Sequence, residues 1–114
     1  MQESFDQTHA ESARSKVVLC DPSVREFIQA RNIRAEDIGL ITELARFSKE
    51  EIVLYLHNVL STHKERSGQV LGRLMQTAQN DRTRKLYEAA LAFVQKYDWA
   101  ASWHLVRTLE NINS

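Results

Sequence analysis

His63 and Arg66 stand three residues apart in a polar run, with Ser67 and Gly68 directly after them. That order suits phosphoryl chemistry. An exposed imidazole nitrogen can attack an aspartyl phosphate, a cation one turn on steadies the transferred charge, and small residues let the donor approach. The other reactive side chains are scattered. His9, His57 and His104 lie far apart, and Cys20 is the single cysteine. No pair of His, Cys, Asp or Glu has metal-ligand spacing, and Gly39, Gly68 and Gly72 build no phosphate loop. The sequence therefore points to a protein that is not an enzyme and carries no metal or cofactor.

Three segments resemble known families. His63, Arg66, Ser67, Gly68, Leu71 and Leu74 are similar to the histidine phosphotransfer motif, His-x-x-Lys-Gly/Ser on a helix, which implies a helical bundle with His63 as phosphoacceptor. Lys64 and Glu65 are charged where that family places small or apolar residues, and Arg66 replaces its lysine. Residues 41 to 56 resemble the helix-turn-helix of bacterial repressors, with Leu44 and Ala45 packing the first helix, Phe47-Ser48 in the turn, and Ile52 and Leu56 anchoring the second. The resemblance implies a recognition helix in the major groove. Yet Arg46 stands where the turn carries glycine, and the surface that would meet DNA shows Glu50, Glu51, Val53 and Leu54. Carboxylates are repelled by phosphates, and Val53 and Leu54 read no base edge by hydrogen bonding. The spacing of Ala89, Phe93, Tyr97-Asp98-Trp99, Ser102, Val106 and Leu109 resembles one tetratricopeptide helix pair, without a second copy to stack on.

Composition narrows the remaining classes. The chain has 114 residues, enough for one domain, with 15 basic and 15 acidic side chains and a formal net charge of zero. That balance argues against holding nucleic acid or an anionic membrane by bulk charge, while leaving a local patch open. Six basic residues (Lys64, Arg66, Arg73, Arg82, Arg84, Lys85) outnumber Glu65 and Asp81 in one stretch, and Glu36, Asp37, Glu43, Glu50 and Glu51 lean acidic in another. A lone cysteine suits a reducing compartment, and the first twenty residues do not read as a signal peptide. No stretch approaches the ~20 apolar residues of a membrane span. A cytoplasmic protein is expected.

The elements that must position these residues are helices. Residues 1 to 20 read as a loose N-terminal tail, with residues 17 to 20 an apolar segment laid on the helices or a short strand. A first helix starts near Asp21-Pro22-Ser23, with Ser23 and Glu26 as a capping box, and ends at Asn32. A second covers residues 35 to 46. A third starts at Ser48, with Glu51 reaching back to the cap and Phe47 and Ile52 forming a hydrophobic staple. At ~100° per residue, Ile52, Val53, Tyr55, Leu56, Val59 and Leu60 share a broad arc from which Leu54 departs. That helix is either central to the core or shows Leu54 to a partner. Residues 61 to 69 contain no apolar side chain and form either a solvated helical turn or a break near Ser67-Gly68. Apolar spacing resumes at Val70, then a fourth helix covers residues 82 to 97, and Asp98 caps a fifth.

The reading is an all-α, single-domain bundle of about five helices over residues 21 to 114, with a flexible tail before it. A helical domain without catalytic signals is expected to bind another protein, as a regulator, adaptor or small chaperone. Val53, Leu54, His57 and Trp103 are the expected contact residues, and leftover apolar faces of this kind suit a homodimer. DNA binding, and phosphotransfer through His63 and Arg66, are the alternatives.

Overall fold

A proline after Asp21 decides where the first helix begins. The residue before proline is pushed into an extended conformation, which is also what an N-cap needs. Asp21 accordingly has φ −69 and ψ 131, and its side chain accepts from the Ser23 amide at 2.9 Å. The cap is therefore Asp21, and Ser23, expected in that role, sits inside the first turn and donates to Asp21 through its hydroxyl. Helix α1 runs Pro22–Ala30. It ends as expected at Asn32, which takes φ 52. The Ile33 amide donates to the Ile28 carbonyl at 3.0 Å and the Asn32 amide to that of Gln29. These two bonds are a Schellman closure, with asparagine in the left-handed position that glycine usually fills.

The computed structural model describes residues 17–112. The expected tail at residues 1 to 16 lies outside the described residues. Residues 17–20 are helical, and Val18 is buried. Val18 lines a small cavity of about 40 Å³ with Phe47, Ile52, Leu109 and Ile112.

The remaining elements follow in order. A 3-10 turn at Ala35–Asp37 leads into α2, Ile38–Ala45. Helix α3 has three parts, α-helical Lys49–Ile52, π-helical Val53–His57 and α-helical Asn58–His63. Both arms of the expected capping box are present: the Glu51 amide donates to Ser48 Oγ at 3.1 Å, and the Ser48 amide to Glu51 Oε1 at 3.0 Å. At its far end the backbone breaks at Lys64, with φ 37, and a 3-10 turn at Lys64–Arg66 leads into α4, Ser67–Thr77. The polar run left open by the sequence is thus a break, but it falls at Lys64, and Ser67-Gly68, where it was expected, open α4 instead. Helix α5 is Asp81–Lys96, capped by Asn80, and α6 is Trp99–Asn111, capped by Asp98. Among the described residues there is no strand, and no helix is long and apolar enough to cross a membrane. The all-α expectation holds.

The core explains the order. Ile52, Leu56 and Leu60 of α3 are fully buried with Phe27, Ile41, Leu44, Leu86, Phe93 and Leu105. The π turn carries more residues per turn than an α-helix, which keeps residues four apart in line across it. Helix α4 lies against α5 through its glycines: a Cβ at Gly68 would meet Val94 at 3.8 Å and one at Gly72 would meet Leu91 at 4.0 Å.

Two buried or half-buried carboxylates tie distant elements together. Asp37, 1% exposed, accepts from the Tyr97 hydroxyl at 2.6 Å, and from Lys96 and Arg34, each at 3.1 Å. Those three donors, Tyr97 foremost, hold its carboxyl down at about 2 against the opposing effect of burial. Glu51 receives two bonds from the Arg82 guanidinium, at 2.7 and 2.9 Å, and Arg82 holds it down at about 2 as well. His104 is shifted below its ordinary value, first by burial and then by the Arg31 guanidinium, which donates to its Nδ1 at 3.3 Å.

Two predictions follow from these caps and charges. Asn32→Ala should cost about 1–2 kcal/mol because alanine pays the left-handed penalty in full, whereas Asn32→Gly should hold or raise stability; urea unfolding reads both. Acid should act in two stages. All three groups have depressed folded pKa values, so the unfolded chain takes up their protons first and stability falls with pH. A first decline should begin below the ordinary imidazole range, near pH ~6.5, as His104 resists protonation. A steeper one should run from roughly pH 4.5 down to about 2, and Glu51→Gln should flatten it. Urea midpoints across pH check the sequence.

Candidate docking surface on α3 and α6

The expected contact residues come together where α3 runs antiparallel to α6. The pairing has a specific cause. A helix that stops at His63 leaves the Leu60 carbonyl without the amide that a continuing helix would supply. The Trp99 indole N–H donates to it at 2.6 Å. Trp99 is half-buried, and Lys64 Nζ lies 5.8 Å from its ring centroid. The start of α6 is thereby fastened to the end of α3, and its far end returns along α3 toward Ile52.

Along that seam His57, on the last residue of the π turn, donates through Nδ1 to Glu110 Oε2 at 2.8 Å. The carboxylate only accepts, so Nδ1 is the nitrogen that carries the proton in this contact. Glu110 is 6% exposed and its second oxygen accepts from Arg107 at 3.0 Å. Trp103 sets its ring edge-to-face with His57, centroids 5.1 Å apart, beneath the Arg107 guanidinium at 5.7 Å. His57 and Trp103 are half-buried. Val53 and Leu54, one turn before them on α3, are 41% and 68% exposed. The choice between a central helix and a displayed one therefore has a double answer: α3 buries one face completely and presents the other.

Glu110 and Arg107 were not singled out by the sequence. Position 57 and position 110 are 53 residues apart, and no local spacing connects them. One signal existed: Trp103, Val106 and Glu110 are three and four residues apart, so Glu110 falls on the apolar stripe of its helix. A carboxylate there needs a partner.

His63 and Arg66 are both exposed, but the backbone break at Lys64 lies between them, so they do not share one helical face. Ser67 is 1% exposed and Gly68 faces Val94, so the small residues that would admit a donor point into the protein. The helix-turn-helix segment packs as a helix pair, with Leu44, Ala45, Ile52 and Leu56 buried. Its turn needs no glycine because Arg46 is right-handed, at φ −74 and ψ −20. At the positions that would face DNA, Glu50 is exposed and Glu51 is engaged by Arg82. The basic stretch is partly spent in pairs: Arg84 and Lys85 with Asp81, Arg82 with Glu51.

Comparison with known proteins finds no matching family model, no matching curated protein and no matching solved structure.

The seam has a measurable signature. Glu110→Ala removes two charge-assisted bonds but leaves His57 and Arg107 able to reach water, so the cost should stay near 1 kcal/mol. With Trp99 left in place, the same change should shift the tryptophan emission to longer wavelength as the Trp103 ring loses its fixed neighbours. An unchanged emission maximum would show that Glu110 does not hold this face.

Proposed function

We propose that this protein is a non-enzymatic helical interaction module, a regulator, adaptor or small chaperone, that docks another protein through the outer face of α3 and the adjoining side of α6. The observation that supports the reading is the adjacent pair Val53 and Leu54, exposed at 41% and 68% on a helix whose opposite side is fully buried. Single exposed apolar residues are ordinary. Here two neighbours adjoin a half-buried tryptophan and histidine that are held in place by Glu110 and Arg107. Rigid aromatic anchors ringed by polar groups are the composition of a binding hot spot. The π turn under Val53 and Leu54 fits as well, because such turns recur at functional sites. The exposed Cys20 suits a reducing, cytoplasmic setting.

Leu54→Asp tests the reading. A polar change at so exposed a position should alter stability by no more than about 0.5 kcal/mol, and the helical circular-dichroism spectrum should be retained. Proteins captured by the tagged wild-type chain should be lost by the variant. Equal capture by both chains would refute docking through this face.

A further inference from the structure

We infer that the hollow between the end of α1 and the start of α6 is a binding site for a phosphoryl dianion, free or carried on a small organic molecule. Its residues are not those of the docking face, so the inference stands apart from the reading above. Arg31, Asn32, Arg34, Lys96, Tyr97 and Asp98 line it, and it is open, with a volume of about 410 Å³. Its charges do not cancel. Arg34 and Lys96 both bond Asp37, so one buried carboxylate answers two cations. Arg31 donates to His104 Nδ1. Burial, and then the Arg31 guanidinium, hold that imidazole below its ordinary value, so it is uncharged at neutral pH. The Arg31 cation therefore has a neutral partner. Asp98 is the acid among the lining residues, and it turns Oδ1 to its own helix, accepting from the Ala101 amide at 2.8 Å. Three cations thus face two carboxylates, which leaves positive charge in excess.

The cations are held in place before any ligand arrives. Asp37 fixes Lys96 through Oδ1 and Arg34 through Oδ2. The Arg34 guanidinium lies 5.3 Å from the Tyr97 ring centroid, and the Arg34 amide donates to the Tyr97 hydroxyl at 3.0 Å. Both side chains stay reachable, Arg34 at 56% exposed and Lys96 at 49%. Donors fixed in advance lose little freedom on binding. The end of α1 does little to oppose an anion. The Phe27, Ile28 and Gln29 carbonyls accept from the Arg31, Ile33 and Asn32 amides, so the negative end of the helix dipole is largely answered. Two forked guanidiniums and one ammonium suit the several oxygens and double charge of a phosphoryl group better than the two oxygens and single charge of a carboxylate. The volume falls within the range of small-ligand sites, which leaves room for an organic group beside the phosphate.

Titration of the isotope-labelled full chain with O-phosphoserine, serine and inorganic phosphate, followed by amide chemical shifts, tests this. O-phosphoserine should move the Arg31, Asn32, Arg34 and Ala101 amides saturably, and serine should move none of them. Inorganic phosphate separates the two sources: weaker binding than O-phosphoserine assigns the ester, and equal or tighter binding assigns free phosphate. Arg31→Gln, checked for helicity, should weaken binding at least about tenfold. Arg84→Gln removes the same charge outside the hollow and should leave the affinity within about twofold. Asp98→Ser keeps a capping side chain but removes the lining acid, and should tighten binding about threefold or more. A gain of that kind does not come from misfolding. Absence of saturable shifts with both phosphate compounds overturns the inference. So does an equal loss in Arg31→Gln and Arg84→Gln, which would mean attraction by overall charge, or a helical Asp98→Ser chain that binds no better than wild type.

Discussion

The carbonyl of Leu60 is the point on which the arrangement of α3 against α6 turns. A buried or half-buried backbone acceptor must find a donor, and the break at Lys64 removes the one that the helix would provide. Trp99 replaces it. Because Trp99 is the first residue of α6, this single bond sets where α6 starts against α3, and the helix then runs back along it. The meeting of His57 with Trp103 and Glu110 follows from that start, as does the side of α3 that is left uncovered.

The opposite end of α3 is held by different physics. There the Ser48–Glu51 capping box and the Arg82 fork share one carboxylate, so a local helix signal and a tertiary ion pair reinforce each other. Arg82 also lies over the Phe47 ring, 4.8 Å from its centroid. Asp37 plays the same joining part elsewhere, gathering Arg34, Lys96 and Tyr97 from both ends of the fold around one buried carboxylate. Buried charges of this sort depend on having every partner in place. The formal neutrality of the chain is thus not a uniform mixture of charges: Asp37 before α2 and Glu51 of α3 are answered by Lys96 and Arg82 of α5.

A central helix is normally wrapped on all sides, yet α3 keeps two aliphatic side chains in water. The framework behind them is firm, with Leu56 and Leu60 fully buried and His57 braced from behind by a carboxylate that is itself braced by Arg107. The same bracing keeps the His57 ring and the guanidinium of Arg107 at the margin of the apolar patch.

Much of the helical plan was legible along the chain because its signals are local. The Ser48–Glu51 box, the Asn80 and Asp98 caps, the stop at Asn32 and the 3.6-residue spacing of the buried positions each depend on residues within one or two turns of one another. The sequence also left Leu54 off the apolar arc of its helix, and the side chain is exposed. Where two local rules competed, the stronger backbone constraint won: Pro22 forces Asp21 extended, so Asp21 took the cap that Ser23 could have supplied. What only tertiary structure decided were the contacts between residues far apart in the chain. The pairing of His57 with Glu110, the gathering of three donors on Asp37, the burial of Ser67 and the inward turn of Gly68 depend on how helices are placed in space. Spacing along one helix determines which residues share a face; it does not determine which other face they meet, because that choice belongs to packing across the whole chain.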